Sequence, residues 1–227
     1  SGAVTKALSI DSYGNRVMTE MIPAYKKYPQ LGLKLNDRNA NMLSQETARY
    51  IYKVDANNNK VGLISASVGL WNNAVPVLDQ NGNQISQNNL TDGNVWRKSS
   101  SYIWNPSGQN TNGITPLEGF IDFAWDNINV QTQAWKKSSE ITLYDVYSKP
   151  LEAKDINNHY ATTRMGYNNS RAIISATLAR YDEIAYSGAE DQLLSNGKFG
   201  SNVSPGEGTV VSSLAHTRTK SLMVSPG

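Results

Sequence analysis

In 227 residues, 21 Lys and Arg stand against 19 Asp and Glu; a formal charge of +2 with scattered basic residues excludes a nucleic-acid-binding stripe. Cysteine is absent, which excludes disulfides and thiolate metal sites, and no apolar run approaches the roughly 20 residues of a membrane span. Charged residues make up only 18%, so polarity comes from hydroxyls and amides, including 25 asparagines, a composition suited to tight turns between short strands.

Helical periodicity is nearly absent, and the expected fold class is all-β: antiparallel hairpins with at most one short helix. The start, Ser1-Gly2-Ala3-Val4, lacks a basic n-region and an apolar h-region, and the end, Met223 to Gly227, stops where an alternating strand has barely finished. Both ends are expected to be cuts in a longer polypeptide. The segment from Asp37 to Tyr50 is expected to hold the one short helix or turn, with Met42, Leu43 and Thr47 on one side. Arg49 to Val54 places Tyr50, Tyr52 and Val54 on one strand face; Asp55 to Lys60 turns the chain; Val61 to Val68 returns with Gly62, Ile64, Ala66 and Val68 aligned.

Val75 to Leu78 leads into Asp79-Gln-Asn-Gly-Asn83, whose Asn81-Gly82 pair is a strong hairpin signal. Asn105 to Gly119, rich in Pro, Gly, Asn and Thr, predicts a long variable loop. Glu140 to Tyr144 and Pro150 to Lys154 flank another turn, and Pro150 should open its strand. His159 to Met165 and Arg171 to Leu178 flank Gly166 to Ser170. Residues 1–187 are expected to form one β segment, and 188–227 a linker with the opening strands, Thr209 to Leu214 and Lys220 to Val224, of a truncated β-sandwich.

Self-similarity runs through these turns. Tyr144-Asp145-Val-Tyr-Ser148-Lys149 is followed by Asp155-Ile-Asn-Asn158-His159, then Tyr167-Asn168, and a second pair, Tyr181-Asp182; weaker echoes are Asp11-Ser-Tyr-Gly14-Asn15 and Asp79-Gln-Asn-Gly82-Asn83. The physical sense is a strand ending in an aromatic residue, an acid that hydrogen-bonds its own turn, and a basic residue opening the next strand. With these residues the chain resembles the RHS/YD-repeat family of large bacterial surface and toxin proteins over about residues 140–187. Ser148-Lys149 stands where that repeat has Gly-Arg, Asn158 stands for its second Gly, and Asn168 for its second Asp. Wider stretches, such as Ile22-Pro-Ala-Tyr25, Val95-Trp96-Arg97, Tyr102-Ile-Trp104 and Tyr181 to Glu190, look like segments around RHS regions of large secreted proteins of Bacteroidetes-type bacteria. The tail from His216 to Val224 is similar to the opening of jelly-roll carbohydrate-binding modules.

The resemblance implies a sheet wrapped into a spiral or shell and an extracellular or cell-surface location. The partners it implies are other segments of the same polypeptide, with secretion machinery or surface proteins beyond them. Its repeat-defining residues here are Tyr144, Asp145, Asp155, Tyr167, Tyr181 and Asp182.

Candidate sites are few. His159 and His216 have no nucleophile or carboxylate at triad or HExxH spacing, and read as turn residues. Glu118, Asp122 and Asp126 supply acids among aromatics, without a spacing that sets two of them face to face. Asp55-x-Asn57-x-Asn59 and Asp79-x-Asn81-x-Asn83 mimic the start of a calcium loop, but the twelfth positions are Ala66 and Leu90, so turn chemistry is the better account. Trp96, Trp104, Trp125 and Trp135, with Phe120 and Phe123, read as core pieces or, if exposed, as a glycan-stacking platform. No catalytic residue, cofactor or metal is expected. The favoured function is a non-catalytic structural shell or stalk, against a carbohydrate-binding or adhesin-like surface module and a fragment of a secreted enzyme.

Overall fold

The computed structural model describes residues 4–33, 35, 40–79, 81–85, 95–106, 113–128, 134–187, 197–215 and 219–224. Among these residues the chain is all-β, with single turns of 3-10 helix and no α-helix. In chain order the strands are β1 (Lys6–Ile10), β2 (Arg16–Pro23), β3 (Glu46–Val54), β4 (Lys60–Asn72), β5 (Val77–Leu78), β6 (Gln84–Ile85), β7 (Arg97–Trp104), β8 (Trp135–Asp145), β9 (Pro150–Asp155), β10 (Tyr160–Gly166), β11 (Arg171–Thr177), β12 (Thr209–Val211) and β13 (Ser221–Met223). One compact unit comprises residues 1–74 and 91–140, the other 75–90 and 141–227. Residues 197–215 and 219–224 group with 141–187 in the second unit.

The first unit is an antiparallel sheet in the order β1-β2-β3-β4-β7-β8, the last contributing Trp135 to Glu140. Of the short helix or turn expected within 37–50, the described part holds a turn at Leu43–Ser44 and no helix: β3 begins at Glu46, while 36–39 lie outside the described residues. The β-branched and aromatic run Thr47 to Val54 favours a pleated surface over a helix. Tyr50, Tyr52 and Val54 share the buried face, as their alternation predicts. The returning strand departs from the predicted face. A bulge between Ile51 and Tyr52 shifts the register, so Leu63 turns inward and Ile64 outward, although the simple alternation had placed Ile64 inside.

The inner face is covered by residues 113–128, part of which was predicted to be a variable loop. Leu63 and Thr115 exchange backbone hydrogen bonds of 2.8 and 2.7 Å, pinning this segment to β4. Gly62 is required there, because a Cβ would strike Ile114. Phe120, Phe123 and Trp125 then descend on Tyr50, Tyr102, Trp104 and Trp135. A separate cluster forms around Ala24, Leu31 and Trp71, held by two turns of 3-10 helix, Ala24–Lys26 and Pro29–Leu31.

In the second unit, Ile141 to Asp145 of β8 lies next to β9, followed by β10 and β11, antiparallel throughout. The short hairpin β5–β6 adds an exception to the antiparallel expectation. Val77 and Leu78 run parallel to Tyr144 and Asp145. Pro150 opens β9, where its missing N–H costs no ladder bond. The strands β12 and β13 pair with each other in a two-stranded sheet. No helix among the described residues is long and apolar enough to cross a membrane.

Candidate functional site

Five turns share one construction, and it begins with an aspartate. At Asp11, Asp55, Asp79, Asp145 and Asp155 the N–H of the residue three later donates to the Asp carbonyl, and the Asp N–H donates to the carbonyl four later, all at 2.9–3.1 Å. In each, the Asp Oδ1 accepts the backbone N–H groups two and four residues on, at 2.8–2.9 Å. The fourth residue is left-handed: Gly14, Asn58, Gly82, Ser148 and Asn158 have φ of +80°, +64°, +79°, +65° and +61°. This is a type I turn closed by a bulge of one left-handed residue, a geometry that matches strand twist. Glycine, asparagine and serine thus serve alike at the left-handed position.

The fifth position completes the turn. Asn15, Asn59 and Asn83 each donate their side-chain amide to the second oxygen of the aspartate, at 2.8, 3.0 and 3.1 Å. In the fourth turn Lys149 sends its ammonium to the Asn169 carbonyl instead, 2.6 Å away. Asp145 is 1% exposed, and its Oδ2 accepts no hydrogen bond from the described residues. The carboxylates of Asp55 and Asp79, the first acids of the two calcium-like runs, are spent on their own turns.

Side-chain and backbone donors from Asn15 hold the Asp11 carboxyl below its usual range, and the same donors from Asn59 do so at Asp55. The His159 N–H lowers Asp155 likewise. At Asp79 burial pushes upward, but the turn's hydrogen bonds outweigh it. A lowered folded pKa gives stability that is fully present above the unfolded value near 3.9 and is lost as pH falls through the folded one. Thermal unfolding is therefore expected to stay level from neutral pH to about 5 and to weaken below about 4. Joint replacement of Asp11, Asp55 and Asp155 by Asn should flatten that acid limb in calorimetry. Ser148→Gly, which relieves a left-handed serine, is expected to stabilise by about 0.5–1 kcal/mol in denaturant titration.

The two Tyr-Asp pairs differ. Tyr144-Asp145 ends a strand and opens a turn, as predicted, whereas Tyr181-Asp182 lies in a 3-10 turn, Tyr181–Glu183, whose Arg180 N–H donates to Glu183 at 2.7 Å. Tyr167 belongs to a third geometry, in which Tyr167, Asn168 and Asn169 are all left-handed. Tyr181 instead joins a buried polar row. The Thr142 hydroxyl donates to Glu152 Oε1 at 2.6 Å, and the Tyr181 N–H donates to Oε2 at 2.7 Å. Glu152 is paired in register with Thr162, also buried. Arg164, 5% exposed, reaches the Ile184 carbonyl at 3.5 Å, and a Cβ on Gly200 would strike its guanidinium. Burial pushes the Tyr181 hydroxyl upward, Asp145 adds to this, and Arg164 opposes it.

Above this row lies a cleft of about 480 Å³, floored by Thr142, Glu152 and Arg164 and walled by Gln84, Arg180 and Tyr181. Both Glu152 oxygens are committed to donors, so the site's one buried acid serves as a clamp between β8, β9 and the 3-10 turn. Sequence reasoning passed over Thr142, Glu152, Thr162 and Arg164. Local alternation gave no signal for Glu152, because Leu151 and Ala153 mark the opposite face of β9 as the apolar one, yet Leu151 and Glu152 are both buried.

The four tryptophans form no common platform. Trp135 is 4% exposed, with Trp104 at 5.5 Å and Phe123 at 5.2 Å between ring centroids, and its Nε1 donates to the Ile121 carbonyl at 2.9 Å. Trp104 packs on Phe120 at 4.9 Å and donates to the Thr115 hydroxyl. Trp125 has Phe123 at its edge and the Lys27 ammonium over its ring at 4.8 Å. Trp96 belongs to the other cluster, beside Tyr28 at 5.6 Å. Rings whose faces are filled by other rings act as core. Of the three loop acids, Asp122 accepts the Tyr50 hydroxyl at 2.8 Å; burial, with the Asp122 charge, pushes that hydroxyl far up, while Glu118 and Asp126 are exposed. His159 is a turn residue with Nδ1 3.5 Å from Asp155, and His216 lies outside the described residues.

No protein-family model, curated protein or solved structure matches this chain.

Proposed function

We propose that the chain is a non-catalytic structural segment, a shell or stalk, of a large secreted or cell-surface protein of the RHS/YD-repeat type. Its work is to pair and pack β-hairpins against other segments of the same polypeptide. The observation that carries this reading is the fivefold recurrence of the Asp turn, with the left-handed residue falling where the repeat has glycine. The polar chemistry inside the second unit supports it further, since Glu152 gives both oxygens to Thr142 and the Tyr181 N–H, and Asp145 gives Oδ1 to the backbone of its own turn. Such hairpins bury little alone and gain stability by stacking in series. Continuation of the repeats into a curved or spiral sheet belongs to the same proposal, as does the start of a further β module near residue 188.

Hydrogen exchange of the 227-residue chain, alone and within its parent polypeptide, tests the structural role. The expected result is slower exchange across β9–β11 in the parent, because neighbouring hairpins cover them. Equal exchange rates in both contexts would remove the reading. A glycan array read beside it is expected to give no binding. Binding that disappears in Trp96→Ala, Trp104→Ala or Trp125→Ala, the three partly exposed rings among the four, would put the carbohydrate-binding module in its place.

A further inference from the structure

The cleft over the polar row of the second unit holds more free donors than free acceptors. Arg164 lines it while remaining 5% exposed, on a floor shared with Glu152 and Thr142. A guanidinium carries five N–H groups. Among the described residues Arg164 makes one hydrogen bond, the 3.5 Å contact to the Ile184 carbonyl, long for an N–H donor, and no carboxylate forms an ion pair with it. Burying a cation in this way is costly unless an anion compensates it. The Tyr181 hydroxyl also lacks a hydrogen-bond partner among the described residues. The Arg164 charge acts on it, which places the two groups near each other, and burial pushes it upward, so it stays a protonated donor at neutral pH.

The acids of this region are spent elsewhere. Glu152 takes the Thr142 hydroxyl and the Tyr181 N–H on its two oxygens, at 2.6 and 2.7 Å. Asp182 stands 3.5 Å from Arg180 Nε, both side chains being exposed. Asp145, whose Oδ2 accepts no hydrogen bond from the described residues, does not line the cleft.

We infer that the cleft is a binding site for a carboxylate, seated on the Arg164 guanidinium with the Tyr181 hydroxyl as a second donor. A planar anion with two oxygens matches the guanidinium fork. The charge balance selects it over a sulfate or phosphate dianion. Glu152 on the floor, and Asp145, whose charge reaches Tyr181, already oppose the Arg164 charge, so one added negative charge is accommodated and two are not. The volume of about 480 Å³ admits a small organic acid or the side chain of an Asp or Glu from another segment of the polypeptide, which offer the same group. The site rests on the cleft's own residues and not on the shell or stalk role.

Nuclear magnetic resonance of the isotope-labelled chain tests the site, with sodium acetate as the probe and sodium chloride at equal ionic strength as the control. The Arg164 Nε–H signal, assigned by its absence in Arg164→Lys, is expected to shift saturably with acetate, with a dissociation constant on the order of millimolar. Sulfate should bind at least about threefold more weakly. Arg164→Lys keeps the charge but loses the fork, and should weaken acetate binding at least about tenfold, read at the Tyr181 amide. Tyr181→Phe retains the N–H that Glu152 accepts, so the fold holds, and should weaken binding about threefold or more, a result that does not depend on how Arg164→Lys folds. The same titration in the parent polypeptide separates the two sources. An Arg164 signal already at its acetate-bound position and insensitive to acetate identifies an acidic side chain, and a retained response identifies a soluble acid. A shift that does not saturate or that chloride matches, or undiminished affinity in both variants, overturns the proposal.

Discussion

Truncating Trp135 to Ala is expected to destabilise the first unit by about 3–5 kcal/mol, the range for emptying a buried tryptophan site. The ring is 4% exposed at the meeting point of β7, β8 and the covering segment, with Trp104 and Phe123 rings within 5.5 Å between centroids. Three losses coincide in this variant. The buried apolar area disappears, the edge-to-face contacts go with it, and the Ile121 carbonyl loses its 2.9 Å donor. The neighbouring rings cannot collapse into the gap without unseating residues 113–128 from β4. Guanidinium titration followed by tryptophan fluorescence measures the effect through the midpoint shift. A cost below about 1 kcal/mol would mean that the ring is not the keystone of this packing.

The second large effect is expected at Asp145, where two substitutions separate a turn acceptor from a charge. Asp145→Ala removes the acceptor of the Tyr147 and Lys149 N–H groups at a residue that is itself almost fully buried, and should cost about 3 kcal/mol. Asp145→Asn keeps the Oδ1 acceptor and replaces the unpaired Oδ2 by a donor, so it should lie within about 1 kcal/mol of the parent. The same pair of changes at Asp155 should give a smaller gap, because that turn is exposed and water can take over its amides. Urea titrations of the four variants make the comparison. An Asn variant as damaging as the Ala variant would show that the carboxylate charge, not the turn geometry, is what matters at residue 145.

The Asp turns show why part of this fold was readable in one dimension. Each is a five-residue object whose donors, acceptor and left-handed residue lie within the turn, so local sequence suffices to specify it. The hairpins around Asp55, Asp79, Asp145 and Asp155 and the strand opening at Pro150 followed directly. The unity of the five turns was harder to see, since Gly, Asn and Ser all serve at the left-handed position and only measured φ values make them equivalent.

What failed depended on partners distant in sequence. The inward turn of Leu63 in place of Ile64 comes from a bulge against Ile51 and Tyr52, which alternation within one strand cannot report. The parallel seating of Val77 and Leu78 on Tyr144 and Asp145 joins residues more than 60 positions apart. The polar row of Thr142, Glu152 and Arg164 likewise draws one residue from each of three strands.

By itself the sequence determined the all-β class, the absence of thiol chemistry and the turn positions, because these rest on composition and on interactions spanning at most five residues. Only the tertiary structure decided which way the tryptophans face, where the compact units divide and that Glu152 and Arg164 are buried. Those outcomes depend on which strand lies beside which, and pairing is settled by packing energy summed over the whole sheet rather than by any local preference.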